Sequence, residues 1–216
     1  MTSTADLATG RDFPYTRLDA VHPLLAGRRS LRALDPAPLE DAETAALLEA
    51  ARWAPSAMNA QPWRFLVGRV GDDGPDATHR ALEAALAGGN RAWAHRAPLL
   101  IAAAVRTVEA DGRARTYGPY ELGLAVANLS LQAEALGLVT HQMGGFDAAA
   151  VAESLGVPDD YAVLVVLAVG RPGDPAQLPE WAQQRESAPR ERLPLGEIAY
   201  ADAWGSAARF DDGLTA

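Results

Sequence analysis

The apolar residues of this chain recur with two different spacings, and segments of the two kinds alternate along the sequence. Helical spacing predicts helices over residues 40–53, 76–86, 119–136 and 147–155. Alternating or uninterrupted apolar positions predict strands over residues 63–70, 99–105 and 161–169, and a strand of about five residues from position 139. Helices interleaved with strands in this way are typical of a layered α/β or α+β domain.

The segment over residues 119–136 gives the strongest helical signal. Its apolar positions are Leu122, Val126, Leu129, Ala133 and Leu136, with Leu124 and Leu131 on another flank. A helix that is apolar on more than one side is buried in a core or an interface. Gly137 is placed to end this helix, and Gly88 and Gly89 are placed to end the helix over residues 76–86.

The two ends of the chain lack such periodicity. Residues 1–18 mix Thr, Asp, Gly and Pro, so we expect a mobile N-terminal arm before a single domain over residues 19–216. Residues 171–196 contain five prolines, which indicates a segment that is either disordered or laid across another surface. Residues 106–118 are polar and predict a loop.

Missing residue types exclude several kinds of chemistry. The sequence has no cysteine. It also has no lysine, and all 19 of its lysine-or-arginine positions are arginine. This excludes disulfides, thiolate catalysis, iron–sulfur clusters, cysteine zinc sites and any site built on a lysine. The four histidines show no metal-ligand spacing, so no metal is expected. Arginines, carboxylates, hydroxyls and backbone amides remain, and such a set is suited to binding an organic cofactor.

Charge and hydropathy narrow the possible partners. The net charge of −9 argues against nucleic-acid binding, which needs a basic face. The longest apolar runs, over residues 97–105 and 161–170, fall well below the ~18 residues that a membrane span needs. Asp6, Arg11 and Asp12 interrupt the apolar stretch that a secretory leader would need. We therefore expect a cytoplasmic protein with no membrane or nucleic-acid partner.

Two stretches are rich in arginine, namely Arg28, Arg29, Ser30 and Arg32 near the front and Arg190 and Arg192 in the tail. Arginine forks match phosphate oxygens bidentately, and a serine hydroxyl adds a further hydrogen bond. The front stretch is therefore either a solvated basic turn or a phosphate clamp. If it is a clamp, both stretches could converge on one anion.

Three further segments carry small, amide or glycine residues suited to contacting a ligand. Residues 54–63 link a predicted helix to a predicted strand, and the prolines at both ends make a rigid loop that presents Asn59. Gly144 and Gly145 allow a ligand close to the backbone where a strand leads into a helix. Asn90 either caps a helix or reads a ring edge, and taken alone it indicates a cap. Ordinary connections would also explain the first two segments.

Taken together in this order, these segments resemble the FMN-dependent nitroreductase family. The resemblance runs from Arg28 through Leu195 and rests on six landmarks: Arg-Arg-Ser-Leu-Arg, Ala-Pro-Ser-Ala-Met-Asn-Ala-Gln-Pro-Trp, Gly-Asn-Arg-Ala-Trp, Ala-Pro-Leu-Leu-Ile, Gly-Leu-Val-Thr-His-Gln-Met-Gly-Gly-Phe-Asp and Pro-Arg-Glu-Arg-Leu-Pro-Leu. It implies an α+β fold with helices flanking a central mixed sheet. It also implies a homodimer with FMN at the interface, in which a C-terminal extension over residues 171–216 embraces the partner subunit.

The resemblance assigns a role to each matching residue. The FMN phosphate would be held by Arg28, Ser30, Arg190 and Arg192. Arg29 and Arg32 would contact the ribityl chain and the pyrimidine edge, where the Arg32 guanidinium would stabilise the negative charge of reduced flavin.

The isoalloxazine would be contacted by residues of both subunits. Asn90 would meet the pyrimidine. The partner subunit would supply Pro55, Ser56, Ala57 and Asn59. Along the ring would lie Gln142, Met143, Gly144 and Gly145, with the Gly144 N–H directed at flavin N5.

The reaction implied is hydride transfer from NADH or NADPH through flavin N5 to an electron-poor acceptor such as a nitroaromatic or a quinone. Because donor and acceptor would share one site, ping-pong kinetics are expected. Relatives on this scaffold also act as dehydrogenases or oxidases on specialised metabolites, and a non-catalytic flavin-binding protein would share the same contacts. The excursion between Val105 and Tyr120 is short, which implies a minimal lid, and Glu121 stands where many relatives carry aspartate.

Overall fold

The computed structural model describes residues 21–109 and 111–209. Its helices are α1 (Pro23–Gly27), α2 (Asp41–Arg52), α3 (Ala77–Ala85), α4 (Gly88–Ala94), α5 (Gly118–Ala135), α6 (Ala148–Leu155) and α7 (Glu180–Ser187). Its strands are β1 (Leu34–Asp35), β2 (Trp63–Gly71), β3 (Gly74–Pro75), β4 (Leu99–Arg106), β5 (Val139–Met143) and β6 (Tyr161–Pro172). The mobile arm predicted over residues 1–18 lies outside the described residues.

The strands form one six-stranded sheet in the order β1-β6-β4-β2-β3, with β5 also paired to β6. Every pairing among the described strands is antiparallel, where the resemblance implies a mixed sheet. The reason lies in the connection made by α5. This helix joins β4 to β5, two strands that run in the same direction, and β6 lies between them and runs opposite to both. The α+β class itself is as predicted.

Strand β4 divides the core into two layers, because its side chains alternate between the faces of the sheet. Leu99, Ile101 and Ala103 join one hydrophobic cluster, and Leu100 and Ala102 join the other. Helices α2 and α5 cover the first face, while α3, α4 and α6 cover the second. This explains why residues 99–105 show no polar alternation: a strand covered on both faces is apolar at every position.

Helix α5 fulfils the expectation drawn from its two apolar flanks. Leu122, Val126 and Leu129 are buried in the first layer, and the helix also packs along α2. Gly137 takes a φ of +70° just beyond its end, as expected for the residue that terminates a helix. Within the described part of the chain, no helix is long and apolar enough to cross a membrane.

The other predicted helices and strands are confirmed to within three residues at their ends, and two expectations are corrected. Gly88 and Gly89 do not end α3, which closes at Leu86; instead they begin α4. The proline-rich segment over residues 171–196 contains α7, which sequence periodicity did not indicate. This helix is mostly polar and buries only Ala182 and Glu186, so it carries no apolar stripe that could reveal it.

Candidate functional site

The tail helix α7 is attached to the front arginine stretch through both charged side chains and backbone. The carboxylate of Glu186 accepts hydrogen bonds from the backbone N–H of Arg32 at 2.8 Å and of Ala33 at 2.9 Å. In return, the Arg29 guanidinium donates to the backbone carbonyl oxygens of Glu186 at 3.1 Å and Ala188 at 2.9 Å. These reciprocal bonds fix the start of the tail against residues 28–33.

This attachment brings the second arginine stretch onto the first. Nη1 of Arg190 donates to the Arg28 carbonyl oxygen at 2.6 Å, and its Nη2 donates to the carbonyl oxygen of Ala26. Nη1 of Arg28 lies 3.4 Å from the Ser30 hydroxyl, which is exposed. Arg192 is exposed and donates to the neighbouring Glu191 carbonyl. Two segments separated by 162 positions therefore meet, which the phosphate-clamp interpretation of the sequence requires.

His141 connects the arginine stretch to strand β5. Its Nδ1–H donates to the Leu31 carbonyl oxygen at 3.2 Å, and its ring lies 4.5 Å from the ring of Trp93. Burial lowers the pKa of His141 to about 4, and the positive charge of Arg32 acts in the same direction. The ring is therefore neutral near pH 7 and holds β5 beside residues 28–32.

The glycine segment follows directly at the end of β5. Gln142 is exposed and donates to the Ser130 hydroxyl at 3.3 Å, whereas Met143 is buried in the core. A Cβ placed on Gly144 would meet no heavy atom within 4 Å, so open space lies beside this exposed backbone. A Cβ on Gly145 would instead lie 2.9 Å from the amide nitrogen of Asn90.

Asn90 does not cap a helix, contrary to the interpretation that its position alone favours. It lies inside α4, whose N-cap is Ala87, and its Nδ2 donates to the Gly145 carbonyl oxygen at 2.9 Å. The Ala87 N–H donates to the same oxygen at 3.0 Å. Asn90 therefore belongs to the neighbourhood of the glycine segment, although the helix that carries it was not predicted.

The loop from Pro55 to Gln61 has an unusual backbone. Met58, Asn59 and Gln61 take φ values of 53°, 55° and 46°, a region that non-glycine residues occupy rarely. The Ser56 hydroxyl accepts from the Gln61 N–H at 3.0 Å, and the Gln61 side chain donates back to Asn59 at 3.1 Å. Backbone strain of this kind clusters at functional sites.

This loop lies apart from the other segments within one chain. It precedes β2 at Trp63, which pairs with Val105 at the end of β4, and it is bonded to Glu121 in the first turn of α5. Among the described residues, no hydrogen bond or ion pair joins the loop to residues 142–145, and the hydrogen bonds given above for residues 28–32 run to the tail and to β5. The expectation that Pro55, Ser56, Ala57 and Asn59 serve the partner subunit's site stays a prediction.

Two buried carboxylates that shape these segments were not singled out as site residues. The sequence does contain an indication of Glu121, because this residue shares a helix face with buried Ala125 and Leu129, at i, i+4 and i+8. A charged residue on the buried face of a helix indicates a specific partner. The sequence contains no such indication of Glu186, since the helix that carries it was itself not predicted.

Stability should depend on pH through His141. Because the folded ring resists protonation down to about pH 4, only the unfolded chain binds this proton between roughly pH 6.5 and 4. The free energy of unfolding should therefore fall as pH is lowered through this window, by up to about 3 kcal/mol. The free energy of unfolding, measured by urea titration at several pH values, should fall more steeply with decreasing pH in wild type than in His141→Gln. Parallel profiles would contradict the assignment, and exposed His95→Gln is the matched control.

Taken together, the donor set fits an elongated ligand with an anionic end and a flat, polar-edged end. The exposed Ser30 hydroxyl and the guanidinium groups of Arg28 and Arg190 lie at one end of the arrangement. The open backbone of Gly144 lies at the other, and His141 connects the two. Flavin mononucleotide has this form.

Comparison with known proteins identifies the family that this chain is similar to. The Nitroreductase family model matches residues 25–171. An "Uncharacterized 15.4 kDa protein in ask 5′ region" of Mycolicibacterium smegmatis is 39% identical over 147 residues, covering 66% of this chain and 98% of that protein. An NADH dehydrogenase of Thermus thermophilus is 29% identical, over 79% of this chain and 90% of that protein.

A solved structure has the same fold over nearly the whole chain. The crystal structure of an oxidoreductase containing FMN superposes with a TM-score of 0.80 at 31% identity. The match covers 95% of this chain and 100% of that chain.

Proposed function

Because the chain belongs to the nitroreductase family, we propose that it is an FMN-dependent oxidoreductase that passes hydride from NADH or NADPH to an electron-poor acceptor such as a nitroaromatic or a quinone. The observation that carries this proposal is the meeting of Arg190 with the Arg28 stretch, which His141 connects to the strand that leads to the open backbone of Gly144. FMN supplies the hydride-carrying chemistry, which none of the side chains of this cysteine-free and lysine-free chain provides.

The phosphate would be held by the guanidinium groups of Arg28, Arg190 and Arg192 together with the Ser30 hydroxyl. Charged hydrogen bonds of this type are about twice as strong as neutral ones. Arg29 has a second task, since two of its hydrogen bonds hold the tail backbone. We propose that the Arg29 side chain also contacts the ribityl chain.

The ring would lie along Gln142, Met143, Gly144 and Gly145, with Asn90 at its pyrimidine edge. The Gly144 N–H is the group proposed to orient the hydride-accepting atom, N5. A backbone donor does this without a titrating side chain, so hydride transfer should not follow the ionisation of a residue at this position.

Arg32 is proposed to set the reduction potential. Burial lowers its pKa, while Glu186, with Oε2 at 3.9 Å from Nη1, raises it. Arg32→Ala should lower the flavin midpoint potential, because the reduced form loses a stabilising positive charge. A loss of about 1.4 kcal/mol corresponds to roughly 30 mV for a two-electron couple. The midpoint potential is measured by slow reduction with xanthine and xanthine oxidase in the presence of a reference dye. An unchanged potential would show that Arg32 does not have this role.

We also propose that the enzyme is a homodimer and that residues 171–216 embrace the partner. Large apolar side chains are exposed in the tail, with Leu193, Ile198 and Trp204 at 63%, 60% and 93% exposure. A groove of about 500 Å³ between α2 and α5 is lined mainly by apolar residues, Trp53 and Leu131 among them. Exposed apolar patches of this kind mark interaction surfaces, and sedimentation equilibrium measures the assembly.

The decisive experiment is a visible spectrum of the purified protein followed by anaerobic titration with NADH and with NADPH. A flavin spectrum that bleaches on a catalytic timescale supports the enzyme, and re-oxidation by a quinone completes the cycle. Initial rates should then give parallel double-reciprocal lines, because donor and acceptor use the same site in turn. A yellow protein that does not bleach would instead be a flavin-binding protein without turnover.

A further inference from the structure

A single buried carboxylate joins three separate segments of the chain. Glu121 lies in the first turn of α5, and its side chain is 3% exposed. Its Oε1 accepts from the Ala57 N–H at 2.7 Å, and its Oε2 accepts from Nη2 of Arg115 at 2.7 Å. The Ser56–Gln61 loop and the excursion over residues 106–117 are thereby held by the two oxygens of one side chain.

The cation that completes this network is itself buried. Arg115 has a side-chain exposure of 8%, and its Nη1 also donates to both oxygens of Glu109 at 2.9 Å. The hydrogen bond to Glu121 raises the pKa of Arg115 further, so the guanidinium stays charged. Removing one partner from a buried pair leaves an uncompensated charge, and this costs more than breaking a surface ion pair. The network therefore acts as a unit.

The loop needs such support. Met58, Asn59 and Gln61 have left-handed backbone conformations, which are unfavourable for non-glycine residues and persist only where the surroundings hold them in place. The bonds from Gln61 to Ser56 and Asn59 are internal to the loop. The Ala57–Glu121 bond is external, and it ties this strained backbone to the rigid end of a long helix.

We propose that Glu121, held by Arg115, is a positioning residue that fixes the backbone of the Ser56–Gln61 loop for flavin contact and couples that loop to the 106–117 excursion. The flavin contact in this statement rests on the proposed function, in which the loop contacts FMN in the partner subunit's site. A change in the position of Arg115 would then alter the backbone of the flavin-facing loop through the carboxylate of Glu121.

The test uses the holoprotein with Glu121→Gln, and Arg115→Met as a second variant should the first fail to fold. The matched control is Arg171→Met, which breaks the ion pair between Arg171 and Glu43, 2.7 Å apart, at the opposite end of β6. Two quantities are measured. One is amide hydrogen exchange of the peptide covering residues 55–62, relative to that of β4, and the other is the FMN dissociation constant.

We expect exchange in the 55–62 peptide to rise at least 10-fold in Glu121→Gln and in Arg115→Met, while exchange in β4 stays within 2-fold. The FMN dissociation constant should rise by at least 10-fold, with a changed visible circular dichroism of the bound flavin. The Arg171→Met control should change neither quantity by more than 2-fold. A merely structural role would instead raise exchange throughout the chain and leave the spectrum of bound FMN unaltered.

The outcomes separate the two proposals. Wild-type protein that binds no FMN overturns the proposed function, and with it the flavin part of this inference. Wild-type protein that binds FMN, with variants that match it in dissociation constant and loop exchange, overturns the inference alone. Loop exchange that rises without weaker FMN binding also overturns it, because the loop would then be positioned for something other than flavin.

Discussion

Replacing Gly68 by alanine is expected to destabilise the protein by about 3 kcal/mol or more, because the added methyl group has no room. A Cβ at this position would lie 2.4 Å from the backbone nitrogen of His79 and 2.5 Å from its Cα. Both atoms belong to the first turn of α3, so no side-chain rotation relieves the clash. The helix itself would have to move away from β2.

Such a movement is opposed by hydrogen bonds that fix α3 to β2 next to Gly68. The Asp76 N–H donates to the Arg69 carbonyl at 2.9 Å, and the Asp76 carboxylate accepts from the Arg69 N–H at 3.0 Å. The free energy of urea-induced unfolding measures the effect. Gly71→Ala is the matched control on the same strand, since its Cβ would meet nothing within 4 Å. Equal stabilities for the two variants would show that α3 is free to shift.

Arg28→Ala is expected to weaken FMN binding about 10- to 100-fold, the effect of losing one charged hydrogen bond to phosphate at about 1.5–3 kcal/mol. The Arg28 side chain makes an exposed contact with Ser30, so its removal should leave the fold intact. The proposed role is therefore separable from stability. Fluorescence titration of the apoprotein with FMN measures the dissociation constant.

Riboflavin, which lacks the phosphate, makes this test specific. Its affinity should be the same for wild type and Arg28→Ala, because the lost interaction is with the phosphate alone. Arg80→Ala on α3 is the control for general loss of positive charge. Equal weakening of FMN and riboflavin would show that Arg28 acts through the shape of the site and not through the anion.

The elements that the sequence pattern predicts are those whose residues repeat a simple rule over several turns or pleats. Helix α5 and strand β4 are examples, since both bury long apolar surfaces. Strand direction was not predictable in this way. Periodicity is blind to which strands become neighbours, and the insertion of β6 between β4 and β5 depends on contacts far apart in the chain.

The candidate site was predictable where it consists of a recognisable local string, as for Arg28–Arg32 and Gln142–Gly145. It was not predictable where one carboxylate satisfies donors from remote segments. Glu186 accepts hydrogen bonds from the backbone of Arg32 and Ala33, and the local sequence around either segment does not indicate that the two are in contact. The left-handed residues of the Ser56–Gln61 loop were also not predicted, because none of them is a glycine.

The docking of Arg190 onto the Arg28 carbonyl has a consequence for how the protein is made. The two residues are separated by 162 positions, so the cationic end of the proposed site cannot assemble until residue 190 has left the ribosome. Cofactor loading would then follow the emergence of the tail, and a nascent chain stalled before residue 190 would be colourless even where free flavin is abundant.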